Sequence, residues 1–191
     1  MTAAVVFIDL QNGFFEDPDL ARIQEPLVAQ ANRLAAAARG RGYAIYHVIT
    51  EHARDKSTWT LSMLDDDQGF NFVGTEQAAP LAGLELDDAH RLTKIRDSAF
   101  FGTSLAQRLR IGGAERIAIA GVSGQNCINR TGSDAFAENL RVAYARDAIG
   151  SENPERCREA LDMLSDELRQ PVLGTDELMD WLAGASGTAG E

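Results

Sequence analysis

The sequence predicts a doubly wound, Rossmann-like α/β fold, a mostly parallel sheet of about six strands flanked by helices. Three observations predict it. Short apolar runs alternate with helix-period patterns along the whole chain. The runs AAVVFID (3–9) and RIAIAGV (116–122) are apolar almost throughout, as in strands buried on both faces. The length of 191 residues suits one domain, 1–191, built on one sheet.

The elements follow in order. AAVVFID is the first strand. Pro26 is read as the start of the first helix, with Leu27, Ala31, Leu34, Ala35 and Ala38 at helical spacing and Gly40 and Gly42 ending it. YAIYHVIT (43–50) is rich in aromatic and β-branched residues and reads as the second strand. Residues 51–89 mix Asp, Gly, Trp, Phe and Pro with no sustained period, so this segment is expected to form the pocket rather than the sheet. HRLTKI (90–95) is a short third strand. Thr103 or Ser104 caps SLAQRLRIGG. RIAIAGV leads into GQNCINRTGSDAFAENL, read as a helix, and RVAYARDAI (141–149) is the fifth strand. Ser151 or Asn153 caps PERCREALDMLSDEL. PVLGT offers a short sixth strand, and Thr175 is read as the cap of TDELMDWLA. The tail, 185–191, is small and polar and is expected to fray.

Composition excludes several function classes. The hydrophobic fraction is 45%, the charged fraction 25% and the net charge −11. Such a surface repels a phosphate backbone, so no nucleic-acid partner is expected. No run approaches the ~18 apolar residues of a membrane span. The N-terminus lacks the basic region of a signal peptide. Two cysteines are too few for a disulfide scaffold. The expected setting is a reducing cytoplasm, and the expected partner a small-molecule substrate.

In a doubly wound sheet, ligands bind beyond the carboxyl ends of the strands. Asp9 ends the first strand, Lys94 lies near the end of the third, and Cys127 follows the fourth at the start of a helix. An acid, an amine and a thiol therefore share one rim. A thiol becomes nucleophilic on ionisation, which a helix N-terminus and a nearby ammonium favour. A carboxylate can take the thiol proton and pass it to a leaving amine. Each residue also has a plainer reading: Cys127 as a small buried hydrophobe, Asp9 as a turn cap, Lys94 as a solvated surface group.

Four motifs in order carry a resemblance. VVFIDLQNGFF, LTKIRDSAFFGTSLAQRLR, IAIAGVSGQNCINRTGSDAF and VAYARDAIGS resemble the corresponding segments of the isochorismatase-like cysteine hydrolase superfamily, over roughly residues 3–175. The resemblance implies Cys127 as nucleophile, Asp9 as base and Lys94 as the third member. It implies a non-proline cis peptide at Val122–Ser123, aiming the N–H groups of Ser123 and Cys127 at an oxyanion. It also implies a homodimer or homotetramer. Asp147 is left with a structural role.

Departures from the family pattern narrow the reading. Nicotinamidases of the family bind a metal through an Asp-x-His pair, whereas TEHARD here has Glu51 and His52 adjacent, pointing apart on an extended chain. His47 and His90 lie in strands. No catalytic metal and no cofactor are expected. The retained thiol suits attack on a carbonyl with loss of an amine. The implied activity is hydrolysis of a C–N bond in a small amide, carbamoyl or lactam-type substrate through a thioacyl enzyme. The alternatives are an isochorismatase-type ether hydrolase with Asp9 as general acid, and a non-catalytic binding member of the fold.

Gln11, Phe14, Trp59, Phe100 and Arg96 are the expected pocket residues, with Phe15 and Phe101 in the same aromatic set. Arg96 and Arg130 either clamp a substrate carboxylate or pair with local acids. Gln125 and Asn126 either touch substrate or cap the helix, and capping is the reading taken. Cys157 falls on the apolar stripe with Ala160, Leu161, Leu164 and Leu168 and is read as a core cysteine.

Overall fold

The computed structural model describes residues 2–184; the tail expected to fray lies outside them. Its centre is a six-stranded sheet in the order β3-β2-β1-β4-β5-β6, with every pairing parallel. The strands are β1 (Thr2–Ile8), β2 (Ala44–Thr50), β3 (His90–Lys94), β4 (Ala114–Gly121), β5 (Arg141–Ile149) and β6 (Val172–Leu173). The helices are α1 (Pro18–Gly40), α2 (Leu61–Asp65), α3 (Leu105–Ile111), α4 (Asn129–Ala137), α5 (Pro154–Leu168) and α6 (Thr175–Leu182). No helix among the described residues is long and apolar enough to cross a membrane.

Alternation along β1 builds two cores. Ala3, Val5 and Phe7 point to one face, packed by α1 and α6. Ala4, Val6 and Ile8 point to the other, packed by α3, α4 and α5. This is why the strand reads as a continuous apolar run: both of its faces are covered. The strand order turns between β1 and β4, so the crevice of the switch point opens beyond Ile8 and Gly121. Gly121 (φ +117°) sits where β4 closes on β1, and a Cβ there would lie 2.0 Å from the Ile8 carbonyl oxygen.

Three local readings are corrected. Helix α1 starts at Pro18, not Pro26, with Asp17 Oδ1 accepting from the N–H groups of Asp19 (2.9 Å) and Leu20 (3.2 Å). Pro26 lies inside the helix. The apolar stripe runs back through Leu27 to Leu20, and Pro18 supplies the first-turn proline. The helix read from Gly124 onward begins as a π-helical turn, Gly124–Ile128, and becomes α-helical at Asn129. Thr175 is the first residue of α6 rather than its cap. Gly174 precedes the helix, and its N–H donates to Glu177 Oε2 (3.1 Å). Asp147 Oδ2 accepts from the Thr175 N–H (3.4 Å), a structural contact.

The other caps resolve as follows. Asn153 Oδ1 accepts from the Arg156 N–H (3.0 Å) at the start of α5, while Ser151 Oγ accepts from the Asn153 N–H (2.8 Å). At α3, Thr103 Oγ1 accepts from the Leu105 N–H (3.1 Å). Residues 51–89 hold only the short α2 and two isolated bridges, Gln11 to Pro80 and His52 to Phe72.

Candidate active site

Strand register brings the rim residues together. Thr50 and Lys94 are direct neighbours at the ends of β2 and β3. The Asp9 N–H donates to the Val48 carbonyl (3.0 Å), holding the residue beside β2 with φ 56°. The Val122 N–H donates to the Ile8 carbonyl (3.0 Å), bringing the end of β4 onto β1. The Val122–Ser123 peptide is cis. The π-helical turn that follows carries Cys127 to the same point.

There Lys94 Nζ is the hub. It lies 2.8 Å from Asp9 Oδ2, donates to Thr50 Oγ1 at 2.8 Å and to the Arg96 carbonyl at 3.1 Å, and approaches Cys127 Sγ at 3.4 Å. Thr50 Oγ1 in turn donates to Asp9 Oδ1 (2.8 Å). Asp9 Oδ2 accepts no aligned hydrogen bond among the described residues, and its contact there is the ion pair with Lys94. All four residues are buried.

Burial sets the resting protonation. It pushes the Cys127 thiol well above its ordinary value, the charge of Asp9 adds to the rise, and Lys94 offsets it only in part. Burial alone would lower the Lys94 ammonium, but Asp9 and Cys127 outweigh it and hold the amine above its ordinary value. The ammonium favours the thiolate, as expected, but burial and the charge of Asp9 outweigh it. Desolvation of a charge in a dry site outweighs one neighbouring cation.

Cys127 opens onto a cavity of about 480 Å³ walled by Phe14, Leu20 and Phe70, by Ser123 and Asn126, and by the carboxylates of Asp17, Asp97 and Glu152. Among the described residues the Ser123 N–H meets no acceptor. Glu152 braces the turn that carries Cys127: its Oε2 accepts from Ser123 Oγ (2.5 Å) and its Oε1 from Gln125 Nε2 (2.5 Å).

Of the expected pocket residues, only Phe14 lines this cavity. Gln11 is fully buried as a clamp. Its Nε2 donates to the carbonyls of Thr50 and Ala78 (both 2.8 Å), and its Oε1 accepts from the Thr50 N–H (2.7 Å). Phe100 packs against the core. Trp59 and Arg96 line a neighbouring cleft of about 760 Å³, which meets the Cys127 cavity at Asp97. Arg96 Nη1 donates to the carbonyls of Thr58 (2.9 Å) and Ile95 (2.6 Å), and Arg96 pairs with no carboxylate among the described residues. Arg130 does pair, with Asp97 Oδ2 at 3.1 Å. Gln125 and Asn126 cap no helix; Gln125 is held by Glu152 and Ser151, while Asn126 lines the cavity.

Glu51 and His52 do turn apart. Glu51 Oε2 accepts from Thr93 Oγ1 (3.1 Å), whereas His52 Nδ1 sits 3.1 Å from the Thr58 carbonyl. A cleft of about 780 Å³ lies elsewhere, between α1, β5 and α5, and Cys157 lines it half-buried. Cys157 belongs to the α5 stripe but with one side on that cleft. Burial, and then Glu152, push its thiol up to about 11, so it is protonated at neutral pH.

Thr50 and Glu152 escaped the sequence reading. Thr50 had one signal, its position at the end of the second strand. Glu152 had none, because its partners lie 29 and 27 residues away.

A parallel sheet with a thiol, a carboxylate and an ammonium in contact at its switch point defines a candidate cysteine hydrolase. Comparison with known proteins agrees. Residues 3–177 match the isochorismatase domain, and the chain belongs to that family, whose members are hydrolases. A protein of Arabidopsis thaliana described as a probable inactive nicotinamidase is 31% identical, over 89% of this chain and 92% of its own. Maleamate amidohydrolase of Pseudomonas putida is 30% identical, over 80% of this chain and 74% of its own. The crystal structure of an isochorismatase family protein from Desulfovibrio vulgaris superposes with a TM-score of 0.84 at 31% identity, covering 95% and 98% of the two chains.

Proposed function

We propose that this protein is a metal-independent cysteine amidohydrolase that cleaves a C–N bond of a small amide, carbamoyl or lactam-type substrate. The observation that carries the reading is the Lys94 ammonium set between Asp9 Oδ2 (2.8 Å) and Cys127 Sγ (3.4 Å) beside a cavity of substrate size.

Asp9 takes the thiol proton as the sulfur adds to the substrate carbonyl. The thiol rests protonated because burial disfavours its anion, so proton transfer accompanies attack. A base within reach is then required rather than optional. Lys94 remains charged and stabilises the sulfur as charge develops on it. The N–H groups of Ser123 and Cys127 hold the oxyanion, and one missing donor of this kind costs ~10²–10³ in rate. Asp9 returns the proton to the departing amine. A water, deprotonated by the same carboxylate, then releases the acid from the thioacyl enzyme and restores the thiol.

Replacement of Cys127 by alanine tests the reading through ammonia release from a panel of primary amides and carbamoyl compounds. The expected result is loss of turnover to background. Wild-type rates in Cys127→Ala would remove the thiol from the mechanism and point to direct attack by a water activated at Asp9.

A second reading is favoured by one observation: the Arabidopsis relative carries the name of an inactive enzyme. On that reading the protein binds its ligand without turnover. It predicts ligand-dependent thermal stabilisation with no product in the same panel.

A further inference from the structure

We propose that the Cys127 cavity selects a substrate bearing a positive charge and turns away carboxylates. The substrate class is a small amide carrying an ammonium or similar cation. The word amide rests on the amidohydrolase reading above; the charge selection does not.

The lining is the argument. Three carboxylates, Asp17, Asp97 and Glu152, face the same cavity as the thiol, and no basic side chain lines it among the described residues. The cations nearby lie outside this lining. Lys94 is buried on Asp9, Thr50 and the Arg96 carbonyl. Arg96 uses only Nη1, on two carbonyls, and lines the adjoining cleft rather than this cavity. Arg130 offsets Asp97 alone, from a half-exposed position, and reaches Asn126 Oδ1 (3.3 Å). A substrate carboxylate would therefore enter an acidic space with no fork to receive it.

The carboxylates keep capacity for a ligand. Asp17 spends Oδ1 on both capping bonds of α1, and its Oδ2 accepts none among the described residues. Each oxygen of Glu152 takes one protein donor, and a carboxylate oxygen has room for two. The apolar wall suits a cation as well. Phe14 and Phe70 pack edge to face with centroids 5.4 Å apart, and both rings line the cavity. Aromatic faces attract ammonium groups. The net charge of −11 adds a field of the same sign over the whole surface.

The test uses Cys127 as a reporter that needs no turnover. Its rate of modification by 2-aminoethyl methanethiosulfonate is compared with that by the 2-sulfonatoethyl reagent. In each case the thiolate sulfur displaces methanesulfinate and forms a mixed disulfide. Peptide mass spectrometry reads Cys127 apart from Cys157, and both rates are normalised to a free small thiol. The expected result is a bias of about tenfold or more toward the cation, shrinking at high salt. It should also shrink in the pair Asp17→Asn and Glu152→Gln; asparagine keeps the helix cap. Equal rates, an anionic preference, or a bias unchanged in the double variant would overturn the proposal.

The matched amides β-alaninamide and succinamate then separate the two claims. Faster release of ammonia from β-alaninamide supports both. Preference for succinamate overturns the charge selection alone. Cleavage of neither, with the thiol bias intact, leaves charge selection standing and counts against the amidohydrolase reading.

Discussion

Thr50 turns an ion pair into an ordered network. Its hydroxyl accepts from Lys94 and donates to Asp9, both at 2.8 Å, while Gln11 pins its backbone on two sides. A buried ammonium facing a buried carboxylate needs such additional bonds to offset desolvation. Thr50→Val keeps the shape and removes both bonds. Leaving buried polar groups unmatched costs ~1–3 kcal/mol, and if that loss falls on the transition state kcat drops about ten- to hundred-fold. KM should hold, because Thr50 does not line the cavity. Steady-state kinetics beside a urea titration check both. At this scale Asp9, Lys94 and Cys127 were legible, since strand ends mark the rim and their chemistry is distinctive. Side-chain direction was not. Phe100 and Phe101 are neighbours in sequence, yet Phe100 packs on the core while Phe101 is 65% exposed on the adjoining cleft. Nothing in an irregular segment fixes which of two adjacent rings turns inward.

Among the elements, α1 and the Cys127 turn depart furthest from their sequence patterns. Two prolines, Pro18 and Pro26, each suit a first helical turn, and only the packing of Leu20 into the core decides for the earlier one. Pro26 is exposed in the helix interior, where it removes a backbone donor. Pro26→Ala should therefore raise stability, by about 1–3 kcal/mol, read as a higher urea midpoint at unchanged m-value. The π-helical turn was invisible for a different reason. Residue types do not separate π from α winding; the turn is held by contacts remote in sequence, Gly124 N–H to the Gly150 carbonyl (3.0 Å) and Glu152 to Ser123 and Gln125. The strands were legible because a sheet covered on both faces writes itself as uninterrupted apolar runs.

For the whole molecule, pH couples to stability through a buried histidine. His47 lies in β2 beside Phe7 of β1 and Arg91 of β3. Burial, helped by the Arg91 charge, lowers its pKa from 6.5 to about 4. A folded value below the unfolded one means the neutral ring is the stabilised form. The contribution is complete above pH 6.5 and is lost as pH falls through about 4. That gap is worth roughly 3 kcal/mol. His47→Leu should flatten the acid limb between those values in denaturation midpoints measured across pH, while the wild type loses stability there.

The family and the sheet were legible in the sequence, and so was the meeting of Asp9, Lys94 and Cys127 on one rim, because four motifs and the strand ends agree. Residues 51–89 were not, because no period runs through them, although this segment supplies Phe70 to the Cys127 cavity and Trp59 to its neighbour. The central claim is covalent thiol catalysis. Its most direct measurement is intact-protein mass spectrometry after rapid quenching with a panel of amides, lactams and carbamoyl compounds, with Cys127→Ser alongside. The account predicts a substrate-dependent mass increase equal to one acyl group on the wild type, mapped to Cys127 and absent from the variant. Product formed at equal rate by both proteins, with no adduct on either, would contradict it.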